Sequence, residues 1–263
     1  MPETTGRATT RPATGWVPDQ HGAWAMLLVP VVAGVWLVGP APVHLLLGAF
    51  WLVGYLAFYA LSRWLRSRRR RRELTPVLVY GSVAAPLGVA TLALAPHLLR
   101  WVGLYLPLLA ASTVLMLRRK ERSLANDVLT VLAAGLMTPV VVDAAGGDLD
   151  GRTWVVTGAL TAYFLGTVPY VKTMIRERGR RVWVWGSLAY HLLGTAGAVA
   201  LVVTGWQAWW LVLLWVLLTL RAIAGPAANA RRARPLRPVV VGVGEIVASL
   251  LILIAVLAGL PDA

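Results

Sequence analysis

The chain has 263 residues, of which 58% are hydrophobic and only 14% are charged. A soluble protein of this length carries roughly a quarter of charged residues, so the composition excludes that class and favours an integral membrane protein. There is no cysteine, which excludes disulfides and thiolate metal sites. The net charge of +14 lies mostly in short loops between apolar runs, where lipid is the neighbour, so we expect no nucleic-acid partner.

Nine apolar runs follow one another, each long enough or nearly so to cross about 30 Å of hydrocarbon as a helix. They lie at 22–39, 41–62, 77–95, 101–117, 128–145, 153–171, 182–203, 208–225 and 239–259. The sequence therefore predicts an all-α fold, a polytopic transmembrane bundle of about nine spans that forms one domain over 21–263. Residues 1–20 lack the apolar stretch of a signal peptide and are predicted to form a polar cytoplasmic tail.

The loops after the second, fourth, sixth and eighth runs are basic, whereas the other loops contain few cations. Of the 25 Lys and Arg residues, all but Arg100 and Arg152 lie in the tail, in the basic loops or near the span ends beside them. Cytoplasmic loops carry the excess of positive charge in membrane proteins. The sequence therefore predicts a cytoplasmic N-terminus and a C-terminus outside.

Two stretches carry a family resemblance. QHGAWAMLLVPVVAG, at 20–34, opens the first span, and YFLGTVPYVKTMIRERG, at 163–179, ends the sixth. Both resemble the YwiC-like family of bacterial membrane proteins, which implies a multi-pass protein of the bacterial cytoplasmic membrane. The resemblance indicates a family but does not indicate a reaction. The residues that match its motifs are Gln20, His21, Gly22, Trp24, Lys172 and Arg176.

The arrangement of nine helices, with a cytoplasmic N-terminus and polar residues gathered in the cytoplasmic loops after the even spans, is similar to that of UbiA-type prenyltransferases. RRKERSLANDVLTVLAAG, at 118–135, looks like the stretch that begins the fifth span there. Those enzymes hold magnesium with aspartates after spans two and six, but the matching stretches here, YALSRWLRSRRRRRE and YVKTMIRERG, contain none. Magnesium needs oxygen ligands. The resemblance thus implies a UbiA-like helix arrangement, whereas the missing aspartates predict that no metal is bound, and we expect no cofactor.

The candidate binding residues lie at the cytoplasmic mouth. Lys172 and Arg176, with Arg180, are spaced so that a continued helix would present them on one face, where cations can hold a phosphate or carboxylate. The alternative is an ordinary basic loop that touches lipid head groups. Gln20 and His21 could form a polar site beside Trp24; alternatively His21 caps the helix and Trp24 anchors it at the interface.

Glu245 is predicted to lie about 9 Å inside the last span. Charged residues in membrane spans usually face the bundle interior and have a partner, and Arg221 or His191 could supply one. Asn126 and Asp127 begin the fifth span, where helix capping is their simplest role.

Three functions fit these residues. The first is binding of an anionic amphiphile, such as an isoprenoid or lipid phosphate, with its head group at His21, Lys172 and Arg176. The second is a small-molecule or proton-coupled transporter that uses Glu245 and His191 as a buried relay. The third is a non-catalytic subunit or assembly factor of a membrane complex. The sequence identifies no catalytic residue and leaves open whether the protein is an enzyme.

Overall fold

The computed structural model describes residues 16–18, 21–232 and 234–261, with the side chain of His21 left out. The described part contains helices and no strand. The helices are α1 (His21–Val38), α2 (Pro42–Arg66), α3 (Arg71–Leu94), a 3-10 helix (Pro96–Trp101), α4 (Val102–Leu117), α5 (Leu124–Gly135), α6 (Met137–Ala144), α7 (Gly151–Met174), α8 (Arg181–Val203), α9 (Trp210–Ala230) and α10 (Pro238–Ala258).

These helices form nine segments where the sequence predicts nine spans. The 3-10 helix and α4 make one segment, Pro96–Leu117, and α5 and α6 make another, Leu124–Ala144. Within the described residues, eight segments are long and apolar enough to cross a membrane, while the first apolar stretch, Gly22–Val38, is shorter. The all-helical prediction is confirmed, and the protein is an integral membrane protein with several spans.

The second and third helices extend beyond their predicted ends. α2 continues to Arg66, and α3 begins at Arg71 rather than at residue 77. Hydropathy detects only the apolar part of a span. Arginine is a good helix former, so the helix continues through the arginines beyond the apolar run. Arg68 and Arg69 take left-handed φ angles of 57° and 59° in the short loop between the two helices.

The fifth span is broken at Leu136, between α5 and α6. Pro139 has no N–H to donate to the carbonyl of Gly135, and its ring crowds that carbonyl. The break lies beside α1, where the hydroxyl of Thr138 donates to the carbonyl of Pro30 at 3.2 Å. A proline therefore divides a span that hydropathy predicts as one helix.

The helix α1 packs against α5, α6, α7 and α10. It approaches α6 closely at Gly34, where a Cβ would lie 2.7 Å from the carbonyl oxygen of Thr138. The largest buried cluster joins α1 to α5 and to α7 through α10. Because spans alternate in direction, the loops at 67–70, 118–123, 175–180 and 231–237 lie together, and we refer to this side as the basic end.

Candidate functional site

A charged pair lies between α9 and α10. Nη1 of Arg221 is 2.7 Å from Oε1 of Glu245. Counted at 1.5 Å per residue, Glu245 lies about 10 Å from the start of α10, and Arg221 about 13 Å from the end of α9. Both charges are therefore well inside the bundle at similar depth, where each needs the other. The sequence suggests Arg221 or His191 as the partner of Glu245, and in the structure the partner is Arg221.

Side chains of α7 hold the pair in place. The guanidinium of Arg221 lies over the ring of Tyr170, with Cζ 4.1 Å from the ring centre, a distance at which a cation is attracted to an aromatic face. The hydroxyl of Tyr163 donates to the backbone carbonyl of Glu245 at 3.3 Å and lies 3.2 Å from Oγ of Ser249. Ser249 donates to the same carbonyl at 2.7 Å. These hydroxyls are thus directed to the backbone of α10.

Three buried atoms of the pair have no hydrogen-bond partner within the described part of the chain. They are Nε and Nη2 of Arg221 and Oε2 of Glu245. Buried polar atoms in proteins are nearly always hydrogen-bonded, and a guanidinium offers five N–H donors. The pair therefore keeps donors, and one acceptor, that a ligand could use.

The pair lines a cavity of about 250 Å³ between α7, α9 and α10. Tyr170 and Met174 form its α7 side, and Val240, Val247 and Leu251 belong to its α10 side. These three α10 residues are about half exposed. The cavity, which we call the polar cavity, thus opens on the outer surface of the bundle, which lipid covers in a membrane.

A second, larger space adjoins the polar cavity. It measures about 410 Å³, and Leu251 lines both. Its walls are Leu213, Leu214 and Leu217 of α9 with Ile254 of α10, and Trp210 stands at the far end. We call this space the apolar groove. Together the two spaces run along the boundary between α9 and α10, with charge at one end and only hydrophobic side chains at the other.

The basic loop at 231–237 borders the polar cavity through Leu236. Arg237, which directly precedes α10, is exposed in this loop. The loop is tied to its neighbour because Nη2 of Arg178 donates to the carbonyls of Asn229 and Arg232 at 2.6 and 3.1 Å. The surroundings of the cavity therefore carry positive charge that attracts anions.

Lys172, a candidate anion contact in the sequence, is engaged in an ion pair. Its Nζ lies 2.7 Å from Oδ2 of Asp127 and donates to the carbonyl of Arg122 at 3.0 Å. The ammonium also lies 5.5 Å from the ring centre of Trp183. Lys172 therefore neutralises a carboxylate and joins α7 to α5. The capping role suggested for Asp127 falls instead to Ser123, whose side chain accepts from the backbone N–H of Asn126.

Arg176 does not share a helical face with Lys172. The helix α7 ends at Met174, and Arg176 is exposed in the loop that follows. Arg180 lies in the same loop and forms an ion pair with Glu177. The spacing argument for three cations on one face assumed a continued helix, and this assumption is wrong.

His191 is buried in α8, and its Nδ1 lies 2.7 Å from the carbonyl of Ser187 on the same helix. Its ring is 6.1 Å from that of Trp215. The structure gives it a place in the core beside α9 and no hydrogen bond to Glu245.

The other candidates lie at the start of α1. Gln20 and the side chain of His21 are outside the described residues, so their predicted contact with a ligand stays a prediction. Trp24 is partly buried and packs edge to face on Tyr55, with ring centres 6.2 Å apart.

A third polar cluster lies at the opposite end of the bundle. Asp143 is 4% exposed and forms an ion pair with Arg100. It also accepts from Nε1 of Trp101 at 2.6 Å. Its carboxylate is fully engaged, which indicates a structural role. In the described part of the chain, no group of three or more His, Cys, Asp or Glu side chains could hold a metal ion; the expectation of a metal-free protein stays a prediction.

Comparison with known proteins identifies the family. The model of the YwiC-like protein family matches residues 17–142. The chain is also 35% identical over 180 residues to the uncharacterized protein YwiC of Bacillus subtilis (strain 168), covering 67% of this chain and 74% of that one. The chain belongs to the YwiC-like family. This membership confirms the family resemblance, and of the two sequence stretches that carry it, the one at 20–34 lies within the segment that the family model matches.

A further relative extends the comparison. An uncharacterized protein of Haemophilus influenzae (strain ATCC 51907) is 27% identical over 177 residues, which cover 67% of this chain and 74% of the relative. No solved structure matches the chain, and the similarity to UbiA-type prenyltransferases stays a prediction. The matched YwiC-like segment ends within α6, so Arg221 and Glu245 lie beyond it.

Proposed function

We propose that this protein binds an anionic amphiphile of the membrane at the boundary between α9 and α10. The head group lies in the polar cavity against Arg221, and the hydrocarbon chain lies in the apolar groove. The observation that carries the proposal is the shared wall at Leu251, which joins a cavity containing a charged pair to a groove lined with hydrophobic side chains.

The charges favour an anionic head group. Arg221 has two nitrogen atoms without a hydrogen-bond partner among the described residues, against one oxygen of Glu245. Arginine binds phosphate and carboxylate groups through paired N–H donors. Exposed cations stand at the same end, Arg237 beside the cavity and Arg176 in the loop after α7, and attract an anion before it enters. With the basic end on the cytoplasmic side, the ligand would come from the inner leaflet.

The shape favours a molecule with a tail. The two spaces together exceed the size needed for a phosphate or carboxylate alone, and small-molecule sites of a few hundred Å³ are typical of larger ligands. Among the residues that line the apolar groove, the one polar side-chain atom is Nε1 of Trp210, and it already donates to the carbonyl of Ala255 at 3.0 Å. A hydrocarbon chain is the occupant that matches this wall.

A binding titration tests the proposal. Decanesulfonate carries a permanent negative charge on a ten-carbon chain, and decyl maltoside, a neutral head on the same chain, serves as its control. We expect the protein in dodecyl maltoside to bind decanesulfonate saturably by calorimetry and to show no specific binding of decyl maltoside. Arg221→Gln should weaken decanesulfonate binding by about tenfold or more, as expected for a lost charge-assisted hydrogen bond.

Two further variants make the titration decisive. Arg70→Gln removes the same charge from an exposed position at the basic end and should leave binding unchanged. Arg221→Lys keeps the charge next to Glu245 but loses the paired donors, so it should bind with intermediate affinity. Equal binding by wild-type protein and both Arg221 variants would contradict the proposed site.

A proton-coupled transporter is the second candidate function. Glu245 favours it, because a buried carboxylate within a span, with one oxygen lacking a partner among the described residues, is a typical element of proton relays in transporters. His191 belongs to this hypothesis as the second group of the relay. A solute flux into liposomes that follows the pH gradient, and is lost in Glu245→Gln, would favour transport.

A further inference from the structure

Arg221 is the partner that balances the charge of Glu245. The carboxylate is largely buried, and its Oε1 accepts from Arg221 at 2.7 Å. From α7, Tyr163 donates to the backbone carbonyl of Glu245, and Tyr170 lies under the guanidinium. Within the described residues, none of the hydrogen bonds from α7 or α10 reaches the carboxylate itself.

The other helices near the pair supply no second cation. The helix α1, which packs on α10, contains no ionisable residue besides His21 at its first position. His191 of α8 is hydrogen-bonded within its own helix. Lys172, nearer the basic end of α7, pairs with Asp127. Among the described residues, the helices packed around Glu245 therefore supply one positive charge, that of Arg221, while Arg237 lies outside them in the exposed loop before α10.

An anionic head group and Glu245 must then compete for the single positive charge of this guanidinium. If the anion takes the donors of Arg221, two negative charges share one positive charge in a space walled by Val240, Val241 and Leu251. An uncompensated carboxylate in such surroundings is strongly disfavoured and takes up a proton instead. Glu245 lines the same cavity, and its Oε2, which has no hydrogen-bond partner among the described residues, can accept that proton.

We propose that binding of the anionic head group at Arg221 is coupled to protonation of Glu245, so that one proton enters the site with each anion. This inference rests on the proposed function. One proton moves from bulk water to the Glu245 carboxylate, Arg221 passes from Glu245 to the anion, and no bond of the ligand is broken. The net charge of the occupied site equals that of the empty one, which lets the pair accept an anion at this depth in the bundle.

Calorimetry with decanesulfonate measures this proton directly, because the sulfonate itself does not titrate near neutral pH. The titration is run in two buffers of different ionisation enthalpy, and the difference in heat gives the number of protons taken up. We expect close to one proton for each decanesulfonate bound at pH 7. The affinity should also fall by about tenfold for each unit of rising pH above 7, as linkage requires for one proton.

Glu245→Gln supplies a neutral side chain of the same shape. This variant should bind decanesulfonate at least as tightly as the wild-type protein, with no proton uptake and no pH dependence. Glu121→Gln is the matched control, since Glu121 also pairs with an arginine, Arg66 at 3.1 Å, but lies in the loop at 118–123. It should keep the wild-type proton count.

The possible outcomes distinguish a failure of the proton coupling from a failure of the proposed binding function. Binding that depends on Arg221 but takes up no proton would overturn the coupling and leave the proposed function intact. A proton count that survives in Glu245→Gln would also overturn it, because another group would then be the acceptor. No saturable binding of decanesulfonate, or binding indifferent to Arg221, would overturn both proposals.

Discussion

Lys172 and Asp127 form an ion pair, 2.7 Å from Nζ to Oδ2, that joins the last turn of α7 to the first turn of α5. Lys172 is 8% exposed, so its charge depends on this carboxylate and on the carbonyl of Arg122, to which it also donates. The pair stabilises the basic end of the bundle, and its lysine has little capacity left for a ligand.

The stability of this end should therefore depend on the pair. Asp127→Asn leaves the Lys172 charge without its counter-ion and should lower the free energy of unfolding by about 2 kcal/mol, less than for a fully buried pair because Asp127 is partly exposed. Asp127→Asn with Lys172→Met should be closer to wild type than the sum of the single changes. Thermal unfolding in detergent measures both. Wild-type stability of Asp127→Asn would contradict the assignment.

Close packing between α8 and α9 depends on Gly194. A Cβ there would lie 1.9 Å from Cζ3 of Trp215, whereas a Cβ at Gly197 on the same helix would meet no atom within 4 Å. Gly194→Ala should destabilise the protein by about 1–3 kcal/mol through overpacking. Gly197→Ala is the control, with an expected change within about 0.5 kcal/mol or a gain, as for surface substitutions. Equal unfolding temperatures for the two variants would refute this packing.

The direction of the chain across the membrane can be tested with single cysteines, because the native sequence has none. Arg70 is exposed at the basic end, and Asp148 is exposed in the loop before α7. An impermeant thiol reagent added to whole cells should label Asp148→Cys, and it should label Arg70→Cys after the membrane is permeabilised. Labelling of both positions in intact cells would contradict the nine-span topology.

Glu121 gives a prediction for acid stability. Burial acts to raise the pKa of its carboxyl, but hydrogen bonds from its own backbone and from Arg66 outweigh burial and hold the pKa below the ordinary value of 4.5. The lowered pKa means that the contribution of Glu121 to stability is complete above about pH 4.5 and is lost as the pH falls through the lowered pKa.

Thermal unfolding between pH 3 and 6 measures this contribution. The wild-type protein should be more stable than Glu121→Gln at pH 6, and the difference should shrink toward pH 3. A difference that does not change over this range would show that the Glu121 carboxylate does not contribute through its charge.

Hydropathy and charge predict the spans because each segment must form its own backbone hydrogen bonds and present apolar side chains to lipid. The signal is therefore local in the sequence. The Arg221–Glu245 pair could be predicted from the sequence for a related reason, because two opposite charges at the same depth in neighbouring spans have few other partners. The Lys172–Asp127 pair could not be predicted, because it requires that α5 and α7 be adjacent in space. An aspartate in the first turn of a span at the basic end was the available signal, and helix capping explained it equally well.

The end of α7 shows a second limit. Lysine and arginine at 172 and 176 favour a continued helix, but the helix ends where Asn229 of α9 donates from Nδ2 to the carbonyl of Met174 at 2.9 Å. Gly179, with a φ of 80°, then turns the loop. This capping comes from a distant part of the chain, so local spacing does not contain it. The polar cavity and the apolar groove likewise arise from the limited contact between α9 and α10.

Native mass spectrometry of gently purified protein tests the central claim most directly. The wild-type protein and Arg70→Gln should each retain an anionic amphiphile from the membrane, and Arg221→Gln should lose it. Retention of neutral or zwitterionic lipids alone by the wild-type protein would contradict the account. So would an anionic adduct that Arg221→Gln holds at the wild-type occupancy.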